Sequence, residues 1–152
     1  MLKKLETFAP HILGLTRILF GVMMAAHGAQ KLLGLFGGVP AGTPAFIVWV
    51  AGPVELIGGA LIALGLLTRG AGFLLSGQMA FAYFMGHAPK GFWPIVNGGE
   101  LAIAYCWLAL YFVAQGPGAF ALDNLIARRH EDQLPSAGQG RDWAAAHART
   151  AA

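Results

Sequence analysis

Between Thr43 and Leu67 the chain runs almost wholly apolar, and the run's only formal charge is Glu55, set in the stretch Ala51 to Gly59, AGPVELIGG. A run of that length is suited to a bilayer-spanning helix. A carboxylate near its middle has no water to solvate it, so it requires a partner and marks a functional position. The rest of the chain must fold so as to bring polar groups to Glu55.

Composition agrees with that constraint. The chain has 152 residues, 57% of them apolar and 11% charged, where a soluble domain carries about 25% charged residues. Mean hydropathy is +0.61. The expected fold is an all-α integral membrane protein, with a four-transmembrane-helix bundle over 1–122 and a polar cytoplasmic tail over 123–152. The net charge of +3 comes with a dense basic pair only at Arg128 and Arg129, so nucleic acid is not an expected partner. The single cysteine, Cys106, excludes an internal disulfide or CxxC pair.

The first span covers about Pro10 to Leu33. It is too long for a cleaved signal, and Ala26-His27-Gly28 makes a poor cleavage site, so it is read as retained. Gly34 to Pro44 is a Gly/Pro-rich connector. The second span runs from Pro44 to Leu67, with Pro53 expected to kink it and Gly52, Gly58, Gly59 and Ala63 allowing close helix contact. Thr68-Arg69-Gly70 reads as a tight turn into an antiparallel third span, Ala71 to Gly86, with Gln78 inside it. Ala88 to Val96 is an interfacial or short re-entrant segment. The fourth span begins at Asn97 and ends at Ala114, before Gly116-Pro117-Gly118. Asp123 to His130 reads as a short surface helix, Leu134 to Gly140 as a linker, and the alanine-rich end as helix-compatible. Lys3, Lys4, Arg17, Arg69, Arg128 and Arg129 fall on one side of such a bundle, and Lys31 and Lys90 on the other. The positive-inside rule then places both termini in the cytoplasm.

This topology gathers His27, Gln30, Lys31, His87, Asn97 and Glu100 at the outer end. Glu55 lies deeper, about 12–15 Å along its helix. An outward-facing polar pocket floored by Glu55 is the expected site, with Glu55 pairing with His27 or Lys31, and Glu100 with His87 or Lys31. Glu55, His27 and Glu100 are the candidate proton-handling groups. His27, Gln30, Lys31, His87 and Asn97 are the candidate binding groups for a quinone head, with Trp93 the stacking candidate. Histidine titrates near neutrality, and burial raises a carboxylate toward it. Blander roles stand beside these: Asn97 and Glu100 as a helix capping box, Arg17 as a topological or lipid-facing anchor, Lys90 as a snorkelling cation, and Phe92, Trp93 and Tyr111 as aromatic-belt residues. His27 and His87 could in principle ligate a haem, but close-packed Gly and Ala leave no cleft, and none is expected. No Cys/His spacing suggests structural zinc.

Four blocks carry a family resemblance: AHGAQKLLGLFGG at Ala26 to Gly38, GPVELIGGALIALGLLTR at Gly52 to Arg69, HAPKGFWPIVNGGE at His87 to Glu100, and GPGAFALD at Gly116 to Asp123. In that order they resemble the DoxX family of small four-helix bacterial inner-membrane proteins. The resemblance implies a multi-pass protein of the bacterial inner membrane with a link to respiratory or oxidative-stress chemistry. Its name-giving relatives are similar to the small membrane subunit of a thiosulfate:quinone oxidoreductase. It transfers no catalytic residue, but its blocks coincide with His27, Gln30, Lys31, Glu55, His87, Asn97 and Glu100.

Three functions are open at this point. The first is a quinone-interacting redox subunit. The chain has no flavin or nucleotide fingerprint and no cluster cysteines, so that reading requires a redox-active protein partner. The second is a binding or transport module for an anion or small solute. The third is an assembly subunit without chemistry. Membrane lipids and a second copy of the chain are further candidate partners.

Overall fold

The computed structural model describes residues 2–133, with side chains over 6–132. Among these residues every regular element is helical. The expected linker and alanine-rich end lie outside them. Helix α1 spans Leu2–Leu33, α2 Gly52–Leu64, α3 Thr68–Ala82, α4 Pro94–Asn97, α5 Glu100–Gln115 and α6 Leu122–Gln133. Two stretches are long and apolar enough to cross a membrane: Glu6–Leu33, of 28 residues, and Ile47–Leu64, of 18; Glu100–Gln115 is apolar but shorter.

The surface reverses the soluble pattern. Leu15, Leu19, Trp49, Ile57, Phe73, Leu74 and Trp107 are exposed, whereas Arg17, Glu55, Thr68, Ser76 and Asn97 are buried. So wide an exposed apolar surface suits a hydrocarbon solvent. The shared core contains Phe20, Met24, Ile62, Leu75, Met79 and Phe112. Phe20 stacks at 5.5 Å on both Tyr105 and Phe112, which closes α1 against α5.

Close contact between α1 and α2 rests on glycines seven residues apart. A Cβ on Gly21 would sit 2.3 Å from the Ala63 nitrogen, and one on Gly28 would sit 2.2 Å from the Leu56 nitrogen. From the other side, a Cβ on Gly59 would reach 2.4 Å from the Ala25 nitrogen. Backbone meets backbone along this seam, and any side chain there would force the helices apart.

The helix ends differ in part from the expected ones. Pro53 lies in the first turn of α2, and the irregularity precedes it as a π-helical turn over Ile47–Ala51. The missing proline N–H leaves the carbonyl four residues earlier without its helical donor. Helix α2 stops at Leu64, earlier than expected, because Gly65 adopts a left-handed conformation (φ 66°). The Gly65 N–H donates to the Ile62 carbonyl and the Leu66 N–H to that of Leu61, the paired bonds of a Schellman ending. The turn is therefore at 65–67, and Thr68-Arg69-Gly70 already belongs to α3. A π-helical turn, Tyr83–His87, extends α3, and Gly98 delays α5 until Glu100.

The end of the bundle that carries the 65–67 turn and residues 116–121 is called the base, and the opposite end the rim. The base is held by Arg17, which is fully buried. It is not a lipid-facing anchor. Its guanidinium donates to the carbonyls of Ile62, Ala63, Pro117, Ala119 and Phe120. This cation thereby caps the C-terminus of α2, where carbonyls lack helical partners, and ties it to the loop after α5. Asp123 completes the clasp: its carboxylate accepts from the N–H groups of Leu67 at 2.8 Å and Thr68 at 2.9 Å, and its own N–H donates to Gly65. Arg69 caps α5 in the same way through the carbonyls of Val113 and Ala114.

Candidate functional site

The expected site residues occupy three neighbouring places toward the rim. In the first, Lys31 from α1 pairs with Glu55 from α2, Nζ to Oε2 at 2.5 Å, and Gln78 Nε2 from α3 donates to Glu55 Oε1 at 2.7 Å. Glu55 is 4% exposed, and this is the only ion pair among the described residues. Of the two expected partners, the structure selects Lys31. With both oxygens engaged, the buried carboxylate is satisfied, and it binds three helices together. The Gln78 carbonyl oxygen is buried beside the pair with no hydrogen-bond partner among the described residues.

The second place lies between α1 and α5. His27 and Gln30 line a pocket of about 290 Å³ with Met23, Ala26, Phe36 and Tyr105. The His27 and Tyr105 rings meet edge-on at 6.4 Å, and the Tyr105 hydroxyl donates to Met23 Sδ at 3.5 Å. Phe36 reaches the pocket from the short 3₁₀ turn Leu35–Gly37, where it adopts a left-handed conformation (φ 53°). Imidazole, carboxamide and phenol thus converge on a slot with apolar walls. Glu55 does not line it, although a single floor at Glu55 was expected.

The third place is the segment between α3 and α5. Buried Asn97 organises it: its Nδ2 donates to the Gly91 carbonyl, its Oδ1 accepts from the Gly99 N–H, and its carbonyl lies 3.1 Å from His87 Nδ1. Trp93 lines a separate pocket of about 340 Å³ with Tyr83, Phe84 and Phe92. Phe92 and Trp93 are both exposed, as a belt role requires. The Asn97–Glu100 capping box does not form. Helix α5 begins at Glu100 itself, so Gly99 takes the capping position and the Asn97 oxygen is used on Gly99. Glu100 is exposed, and among the described residues it pairs with neither His87 nor Lys31. No three His, Cys, Asp or Glu residues among those described gather closely enough to hold a metal ion.

A family model described as DoxX matches residues 12–88, half of the chain. The chain belongs to the DoxX family. Over 136 residues, 84% of this chain and the whole of the relative, it is 47% identical to an uncharacterized protein of Haemophilus influenzae. It is 29% identical over 134 residues to the uncharacterized membrane protein Rv3486 of Mycobacterium tuberculosis, covering 74% of this chain and 80% of that one. It is 31% identical over 101 residues to a Bacillus subtilis protein named "Putative oxidoreductase CatD", covering 59% and 75%. No solved structure matches. This DoxX chain is a membrane protein, in keeping with its exposed apolar helices.

Sequence reading did not place Gln78 and Tyr105 in these sites. Gln78 is expected only inside the third span with no partner, yet Glu55 and Gln78 lie nearly equidistant from the 65–67 turn, 10 residues before it and 11 after it. That symmetry of an antiparallel pair is a usable signal. Tyr105 offers a weaker one, a phenol inside an apolar helix that needs a polar contact.

Proposed function

We propose that this DoxX protein is a quinone-interacting subunit of a redox complex in the bacterial inner membrane, with four spans and both termini cytoplasmic. The observation that carries the reading is the slot where His27, Gln30 and Tyr105 meet apolar walls. A quinone head is a flat, largely apolar ring with carbonyl oxygens at opposite edges. Met23, Ala26 and Phe36 suit its faces, and the three polar side chains suit its oxygens. When bound, the quinone supplies the electron-accepting chemistry.

The chain's own part is to orient the ring and move protons. His27 and Tyr105 can each donate to a ring oxygen, and Gln30 can hold another without titrating. Lys31, one helical turn from His27, turns instead to Glu55 on α2. His87, Asn97 and Trp93 shape the segment between α3 and α5, and Glu100 is exposed at the start of α5. A protein partner bearing the redox centre supplies the electrons. The oxidoreductase name of the Bacillus subtilis relative supports this reading.

Quinone binding tests it. Titration of the purified protein with a short-tailed quinone should show affinity falling about tenfold in His27→Ala and in Gln30→Ala, as expected for a lost hydrogen bond. Unchanged affinity in both variants would sink the slot as the binding place. A second reading is favoured at Glu55 alone. Since both its oxygens are engaged by Lys31 and Gln78, the pair serves as a clasp without chemistry. Full quinone-linked activity in Glu55→Gln would select that reading for this residue.

A further inference from the structure

A larger cavity lies away from the slot. It is a groove of about 970 Å³ along the outside of α2 and α3, closed at the base by the start of α6. Its lining is sorted by polarity. Toward the rim it is apolar, from Pro53, Val54, Ile57, Leu61 and Leu74; at the base it carries Thr68, Arg69, Asp123 and Asn124. We infer that this groove holds one acyl chain of an anionic phospholipid, with the phosphate at the base against Arg69 and the basic pair of α6.

Length, charge and the setting of α6 support this occupant. From Pro53 to Leu64 the helix rises about 17 Å, close to the hydrocarbon depth of one leaflet, about 15 Å. A chain lying along α2 with its head at the base is thus registered with a single leaflet. Ile57 and Leu74 line the groove yet are 61% and 63% exposed, so they can accept a chain without repacking. At the base, Arg69 spends Nη1 on the carbonyls of Val113 and Ala114, and its other N–H groups make no hydrogen bond among the described residues. Arg128 and Arg129 follow Ala127, which lines the groove, and both are exposed. Helix α6 exposes Leu122, Leu125 and Ile126 beside these cations, the pattern of a helix lying in the membrane interface and attracting anionic heads. Asp123 also lines the base, but its carboxylate is already engaged by the N–H groups of Leu67 and Thr68, which leaves the Arg69 charge available to a phosphate.

Native mass spectrometry of the full chain, released from nanodiscs of equal phosphatidylglycerol and phosphatidylcholine, tests the inference. One retained phosphatidylglycerol per chain is expected, favoured at least about tenfold over phosphatidylcholine. Arg128→Gln with Arg129→Gln, on an exposed helix face, should reduce that preference several-fold; Arg69→Gln should do the same if the helix cap survives. Ile57→Trp with Leu74→Trp should fill the groove and lower retention of both lipids. Equal retention of the two lipids, an unchanged preference in the α6 double variant, or unchanged retention in the tryptophan variant would overturn the assignment. So would a dimer that loses its contact in the tryptophan variant, which would assign the groove to a second copy.

Discussion

Glu55 depends on Lys31 because the carboxylate is buried within the bundle. Lys31→Met leaves a buried carboxylate held only by Gln78, and should cost about 3–5 kcal/mol. The double variant Lys31→Met, Glu55→Gln should recover much of that loss, because no isolated charge remains; thermal unfolding in detergent reads both. At the base, Asp123 titrates in the opposite setting, outside the spans. Burial alone would raise its pKa, but donation from the N–H groups of Thr68 and Leu67 and the charge of Arg17 outweigh burial and hold it below the usual carboxylate range. Its contribution to stability is therefore complete above about pH 4. It is lost as pH falls through the depressed folded value. Acid unfolding curves should show that loss in the wild type, and a smaller pH dependence in Asp123→Asn. The need for a partner at Glu55 was legible in sequence, since depth in an apolar run makes one unavoidable. The role of Arg17 was not. An arginine near a span end usually reaches the interface, and the carbonyls that hold this one come from 45 to 103 residues away, with no local mark in the chain.

At the scale of helices, the α1–α2 seam sets how near His27 and Lys31 stand to the rest of the bundle. Gly28→Ala should destabilise by about 1–3 kcal/mol, since its methyl would meet the α2 backbone. Gly77→Ala has open space around it in α3, and should be neutral or stabilising by up to about 1 kcal/mol. Comparing the two melting temperatures separates packing from helix propensity. Helix existence was legible from apolar runs and Gly/Pro breakers, and their order was read correctly. Helix ends were less so. Gly65 rather than Thr68 to Gly70 makes the turn, because a left-handed residue closes the α2 carbonyls. Asn97 was read as a cap, whereas its side chain is drawn into the loop before α5, which no helix pattern encodes. The split of the expected pocket into separate places has a similar cause. His27 and Lys31 lie one turn apart on α1, yet they face α5 and α2 respectively, and which neighbour each meets depends on the packing angle.

At the scale of the molecule, an exposed apolar surface encloses charges that are neutralised internally, by Glu55 for Lys31 and by carbonyls for Arg17. The proposed four spans with cytoplasmic termini predict that a reporter fused after residue 133 is active only as a cytoplasmic marker, while one inserted between residues 38 and 42 reports the periplasm. The opposite pattern would reverse the orientation and with it the side from which the slot opens. The Arg17 clasp also has a consequence in time. During synthesis the first helix reaches the membrane carrying a guanidinium whose last three carbonyls, from Pro117 to Phe120, do not yet exist. Only when about a hundred further residues have emerged can that charge be fully coordinated. Until then the guanidinium has only the Ile62 and Ala63 carbonyls to hold it, so a chain stopped short of residue 117 should unfold more readily than the intact one.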